Sequence, residues 1–359
     1  MNKFIITLFV FLLIISNGQL IAQPGRNESL LKNWPKLQAF ALSDMIRKNA
    51  NKTPAEFAVF DADGTIWKND IEESLLSFME MKRIITKNKL TKDLIFFPFK
   101  KDESLFSYYK RLCSFDIKLG YSWIAQIFSG FTLYELKNQV DSLYAYDRPI
   151  KVKLWNEDNI CESEVSPPSI FPAQRELINV LQNNGIDVYI VTASLEELVR
   201  MIVSDPKYGY NINPKNVIGV TCLLNDPKTN FYTTARKQIE MGHFYDETYT
   251  KNYHYSLSLT SFLWTPATWY IGKLAAIKEY IDPVRRPILV AGDSPNDYWM
   301  LFYSNVENSG VRVWVNRNDE NMKRTERAII NREKEEKENG ITTTANLGWI
   351  YVTPEELEK

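Results

Sequence analysis

Phe57-Ala-Val-Phe-Asp61-Ala-Asp63-Gly-Thr65-Ile-Trp67 is an apolar run that ends in two carboxylates one residue apart, followed at once by Gly-Thr. A run of β-branched and aromatic residues of this length suits a central strand, so Asp61 and Asp63 emerge where the strand gives way to a tight glycine-containing turn. Ligands of open α/β sheets bind at the carboxyl ends of their strands. Two acids placed there can share a divalent cation, or they can divide the work of nucleophile and proton donor because their surroundings push their pKa values apart. Asp-X-Asp-Gly is also an ordinary polar turn, and the segment alone does not choose.

Three further segments bear on that choice. Asp187-Val-Tyr-Ile-Val-Thr192-Ala-Ser is an apolar strand ending in hydroxyl residues. Lys273, in Gly-Lys-Leu-Ala-Ala-Ile-Lys-Glu-Tyr, opens an amphipathic helix. Pro287-Ile-Leu-Val-Ala-Gly-Asp293-Ser-Pro-Asn-Asp297 is again an apolar strand running into acids. In this order the four segments resemble the signatures of the haloacid dehalogenase-like (HAD) phosphohydrolases, over roughly Glu56 to Asn316.

The resemblance implies a doubly wound, parallel-sheet α/β core with a mostly helical cap inserted between the first and second signatures. It also implies roles. Asp61 is the expected nucleophile, carrying an aspartyl-phosphate, and a Mg²⁺ ligand. Asp63 is the expected acid and base, with its backbone carbonyl on the metal. Thr192 and Lys273 are expected to hold the phosphoryl group, and Asp293, with Asp297 nearby, to complete the metal site. An all-oxygen donor set suits Mg²⁺ rather than zinc. Asp63 separates this chain from dehalogenases of the superfamily, which resemble it around the nucleophile but lack the second Asp. The cap position resembles the phosphoserine phosphatase-like branch and, within it, exported phosphorylcholine phosphatase-like enzymes.

The interval between Asp61 and Thr192 is far longer than one crossover helix needs, which requires an insertion. The expected organisation is a signal peptide over 1–22, a core over 23–70 and 171–359, and a cap over 71–170. Helices are expected at Leu37–Ile46 and Phe171–Gly185, the latter with Pro near its start and Gly at its stop. Strands are expected at Asn216–Leu224 and Val311–Asn316, and Asn225–Trp269 carries no assignable pattern. Phe4–Ile15 is an apolar run too short to span a bilayer comfortably, and Ala22 offers a small residue before Gln23, so the protein is expected to be exported, periplasmic or secreted, without stable membrane insertion. Cys113, Cys161 and Cys222 allow at most one disulfide and are read as buried small side chains.

With 359 residues, 45% of them hydrophobic, and a net charge of −1, the chain can bury a large core and supplies no basic field for nucleic acid. Its two histidines lie in no Arg-His-Gly context, and no Cys precedes a phosphate loop, which sets aside histidine- and cysteine-based phosphatases. The expected function is hydrolysis of a small phosphorylated substrate. A phosphotransferase, in which an alcohol replaces water, and a binding protein on the same fold are the alternatives. The segment from Ile71 to Trp155 is rich in aromatic residues, among them Tyr109 and Tyr121, which can face a quaternary ammonium or simply form core. Glu72 and Glu73 can meet a cationic head group or form a surface pair.

Overall fold

The Phe57–Phe60 strand is buried on both faces, as the centre of a parallel sheet requires. The computed structural model describes residues 28–156, 159–243, 253–265 and 267–359. The expected signal segment lies outside them. Among the described residues no helix is long and apolar enough to cross a membrane. Phe57–Phe60 pairs in parallel with Leu289–Gly292 on one side and Asp187–Leu195 on the other. Val311–Val315 and Trp349–Val352 extend the sheet beyond the first, and Val217–Val220 beyond the second, giving six parallel strands. The chain therefore leaves its central strand in opposite directions on the two sides, and the switch-point crevice opens where Asp61, Thr192 and Asp293 stand at or near three neighbouring strand ends.

The pleat divides the core. Ala58 and Phe60 face one apolar cluster, which contains Leu42 and Ile46 of the Lys36–Asn49 helix and Leu177 and Leu181 of the Pro172–Asn183 helix. Phe57 and Val59 face the other, with Ala276 and Ile277 of the Ile271–Tyr280 helix. This two-residue alternation between two helix-covered faces makes the layered α/β architecture.

Four helices, Ile71–Met81, Leu105–Phe115, Ile117–Gln126 and Leu133–Tyr144, form the body of the cap. Each starts at a side chain that accepts a backbone N–H of the first turn: Asp70, Ser104, Asp116 and Thr132, the last in a reciprocal capping box with Glu135. The chain leaves the core through Trp67–Lys68 and returns through Ser169–Ile170, and these segments pair antiparallel, holding the two crossings side by side. The cap also carries a hairpin, Ile150–Asn156 with Asn159–Val165, in which Lys151 stands opposite Glu164 and Lys153 opposite Glu162. Opposite charges across an antiparallel pair support its register.

Elsewhere the structure revises the sequence expectations. The single strand expected over Asn216–Leu224 is two, because after Val217–Val220 the chain turns out of the main sheet and Cys222–Asp226 enters a second one. There it pairs antiparallel with Phe231–Thr233 and with Ser258–Leu263, inside the interval that had no assignment. This small sheet braces the cap, since Leu133 N donates to Leu257 O and Leu259 N to Phe131 O. Trp349–Val352 is a further sheet strand that the sequence pattern does not announce. The three cysteines are free thiols, but only Cys222 is buried; Cys161 is exposed on the cap hairpin.

Beyond the second-signature strand lies a buried ionic network. Arg200 contacts both Glu196 and Glu197, Glu196 also accepts from Gly219 N at 2.9 Å, and His254 Nε2 lies 3.2 Å from Glu197 Oε2. Burial, reinforced by the Arg200 and His243 charges, pushes the His254 imidazole down to about 3. The nearby Glu197 carboxylate does not reverse this because its charge is already engaged by Arg200. A histidine whose pKa is lowered on folding takes up its proton in the unfolded chain first, so the stability it contributes is complete above about pH 6.5 and falls on acidification towards pH 3. We expect His254 to account for a loss of about 2 kcal/mol between pH 6.5 and pH 5, read as the difference in urea-unfolding free energy that His254→Gln abolishes.

Candidate active site

Asp61 is the first residue beyond its strand, and its N–H still donates to Ala291 O at 3.0 Å, so the carboxylate is set by the sheet and not by a loop. The turn that follows needs glycine. Gly64 has φ of +78°, and a Cβ there would stand 2.3 Å from Asp293 Oδ2. Close approach of the first and fourth signature loops therefore depends on the missing side chain. Thr65 Oγ1 donates to Asp293 Oδ1 at 3.3 Å across the same gap.

Lys273 arrives from the other face of the sheet in the first turn of the Ile271–Tyr280 helix. Its Nζ lies 2.5 Å from Asp61 Oδ1 and 2.6 Å from Asp297 Oδ1, with all three side chains buried. Tyr270, just ahead of this helix, holds φ of +50° and donates its N–H to Asn296 Oδ1, tying the lysine's helix to the fourth-signature loop. Asp297 spends its second oxygen inward, accepting from Asp293 N and Ser294 N at 3.0 Å each. It stands behind the cleft wall, orienting Lys273 and the loop that carries Asp293.

Asp63 faces a different direction. Its Oδ1 accepts from Trp67 Nε1 and Ile71 N, both at 2.8 Å, and its Oδ2 from Ser194 Oγ at 2.6 Å. Ser194 N in turn donates to Thr192 Oγ1 at 3.1 Å. The second-signature strand thus delivers one hydroxyl to the cleft and another to the Asp63 carboxylate.

Burial raises the Asp61 pKa well above the usual carboxylate range, the neighbouring Asp297 adds to the rise, and Lys273 opposes both. Burial likewise lifts Asp63, against the hydrogen bonds it accepts. It pushes Asp293 up to about 7, with Arg317 pulling the other way. For Lys273, burial works against the charge, but Asp297 and Asp61 outweigh it and hold the ammonium above its ordinary range. Asp61, Asp293 and Asp297 each offer a carboxylate oxygen within 4.8 Å of the others. Asp293 Oδ2 is buried without a hydrogen bond, Arg317 Nε lying 2.8 Å away as an unaligned ion pair. Three buried carboxylates against one buried ammonium leave a negative surplus, and a hard divalent cation fits that donor set. The carboxylate of Asp63 is not part of the cluster.

These groups open into a cleft of about 660 Å³ between the core loops and the cap. Asp61, Asp63, Thr192, Lys273 and Asp293 all line it, whereas Asp297 does not. From the cap come Phe106, Tyr109, Lys110 and Tyr121, and from the helix after the first signature Glu72 and Glu73. The two glutamates part company. Glu72 is buried, accepts from Leu195 N at 2.9 Å, and has its pKa raised well above the usual range by that burial. Glu73 is partly exposed and pairs with Lys110. Sequence reasoning missed Trp67, Phe106, Lys110 and Arg317; for two of them the i, i+4 spacing of Phe106 and Lys110 on one helix was the available signal. Lys273→Met should destabilise the metal-free protein by about 3–5 kcal/mol in urea unfolding, because it leaves Asp61 and Asp297 buried face to face, and the loss should shrink as lower pH protonates Asp61.

No family model matches the chain. It is 48% identical over 333 residues to a phosphorylcholine phosphatase of Pseudomonas aeruginosa strain PAO1, covering 91% of this chain and 93% of that protein. A solved structure of a conserved protein of unknown function from Anaerococcus prevotii DSM 20548 superposes with a TM-score of 0.59 at 17% identity, covering 90% of this chain and 94% of that one, which is a likeness of fold. Similarity of this extent and identity, on a chain carrying the four ordered motifs in one cleft, places the protein in the phosphorylcholine phosphatase family of haloacid dehalogenase-like phosphomonoesterases.

Proposed function

We propose that this protein is an exported, Mg²⁺-dependent phosphatase that hydrolyses phosphocholine, or a closely similar small phosphomonoester, through an aspartyl-phosphate on Asp61. The observation that carries the reading is the make-up of the cleft. One end gathers the Asp61, Lys273 and Asp293 groups, and the other presents a carboxylate, Glu73, beside the rings of Phe106 and Tyr109. That pairing of ends suits a substrate with a phosphate at one end and a cation without hydrogen-bond donors at the other. The name of the P. aeruginosa relative supports the same substrate class. Export rests on the apolar run Phe4–Ile15 and the Ala22-Gln23 junction.

Asp61, its Oδ1 held 2.5 Å from Lys273 Nζ, attacks phosphorus as an ionised carboxylate while the bond to the alcohol oxygen breaks. Asp63 gives its proton to the departing alkoxide, and its burial favours the protonated form that this step needs. The same carboxylate then takes a proton from water as that water attacks the phosphorus, releasing phosphate and restoring Asp61. Thr192 Oγ1 and Lys273 Nζ stand where they can hold phosphoryl oxygens throughout. A Mg²⁺ ion held by Asp61 and Asp293 would supply the neutralising charge that lets a carboxylate approach a phosphate dianion.

The test is release of inorganic phosphate from phosphocholine, phosphoethanolamine, phosphoserine and p-nitrophenyl phosphate, with Mg²⁺ or EDTA, by protein lacking residues 1–22 and by its Asp61→Asn variant. Phosphocholine should give the highest kcat/KM, and EDTA or the substitution should cut turnover about a thousandfold or more. Much faster turnover of phosphoserine or phosphoethanolamine would overturn the substrate, and metal-independent turnover the cofactor.

A further inference from the structure

The head-group end of the cleft already holds a cation of the chain's own. In the Leu105–Phe115 helix, Phe106, Tyr109 and Lys110 fall at i, i+3 and i+4, which brings them to one face. All three line the cleft. Lys110 Nζ lies 2.5 Å from Glu73 Oε1, 5.1 Å from the centroid of the Phe106 ring and 5.3 Å from that of Tyr109. One ammonium thus occupies the point on which a carboxylate and two aromatic faces converge.

The walls of this chamber and its occupant differ in how firmly they are held. Phe106 and Tyr109 are only 5% and 3% exposed. Glu73 sits in the first turn of the Ile71–Met81 helix, and its N–H donates to the capping Asp70. The Lys110 side chain is 39% exposed, and its pair with Glu73 is wetted, an arrangement that binds weakly and lets the long side chain swing out to water. The chamber is fixed and its cation exchangeable.

We propose that Lys110 sets the affinity of the head-group chamber: its ammonium fills the chamber as an internal competitor, and a substrate binds productively only by displacing it from Glu73, Phe106 and Tyr109. The proposal rests on the phosphocholine reading above. A quaternary ammonium has no N–H to lose from water, so it enters between carboxylate and rings at little desolvation cost. A primary amine head group carries the same hydrated –NH₃⁺ as Lys110, and it must compete with one tethered beside the site at high effective concentration. Lys110 therefore raises the apparent KM of every substrate that needs the chamber by one common factor, set by the fraction of time it fills the chamber, and the preference for quaternary over primary amines stays with the carboxylate and the rings. The other cations of the cleft are placed elsewhere: Lys273 pairs with Asp61 and Asp297, Arg317 with Asp293 and Lys68 with Glu358.

The measurement is KM for phosphocholine and phosphoethanolamine, with the Ki of choline as a competitive inhibitor, in the unaltered protein, in Lys110→Met, which keeps the apolar stem, and in Lys110→Gln as a second variant. Both substitutions should lower the phosphocholine KM about threefold and lower the choline Ki and the phosphoethanolamine KM by the same factor. Unchanged or raised values for phosphocholine and choline would overturn the proposal, as would a selective loss of phosphoserine binding, which would make Lys110 an anion anchor. Failure of the unaltered protein to turn over phosphocholine would overturn the substrate reading and this proposal with it, whereas turnover with unshifted variants would overturn this proposal alone.

Discussion

The Lys273 ammonium, buried between Asp61 and Asp297, is the interaction on which the rest of the site depends. Burying carboxylates at the ends of neighbouring parallel strands is unfavourable unless their charge is met, and this one cation meets two of them. Through Asp61 it reaches the central strand, and through Asp297 the loop carrying Asp293, so it fastens the first and fourth signatures to the helix of the third. Asp293 Oδ2 is left with only an unaligned Arg317 beside it, which is why the surplus charge concentrates at the place where a divalent cation fits.

The cap completes the division of labour. Its two connections to the core run side by side as a short antiparallel pair, and its far side leans on the second small sheet. The cap therefore places its helices over the strand ends from two directions. Asp63 connects the two parts: its carboxylate accepts from Trp67 at the exit crossing, from Ile71 N at the start of the first cap helix and from Ser194 of the core. That carboxylate is thus gripped from both sides, by the cap and by the core. Glu72 also joins the two parts, reaching back from the cap helix to Leu195 N.

How far the site was legible in the sequence follows from which contacts are local. Asp61 and Asp293 were readable because an apolar run ending in an acid states both the strand and the exposed end of it. Asp297 was readable as an acid of the fourth segment but not as the partner of Lys273, since that contact joins two elements. Glu72 and Glu73 are adjacent in sequence and looked equivalent, yet a helix turns consecutive residues about a quarter of a turn or more apart, so one is buried against Leu195 and the other is partly exposed and pairs with Lys110. The Phe231–Thr233 and Ser258–Leu263 strands escaped because they are short and carry exposed aromatics, leaving little periodic signal, and Cys222–Asp226 was merged with the strand before it. His254 shows the same limit, its burial being decided by a network assembled from distant segments.

By itself the sequence determined the class of fold and the acids, hydroxyl and lysine that gather at its strand ends, because these follow from apolar runs and from the residues that end them. Tertiary structure alone decided which acid orients the lysine and which lines the cleft, and it alone brought a lysine, a glutamate and two rings together under the cap. Those relations depend on side-chain directions and on packing between segments far apart in the chain, and no local pattern of hydrophobicity or charge encodes them.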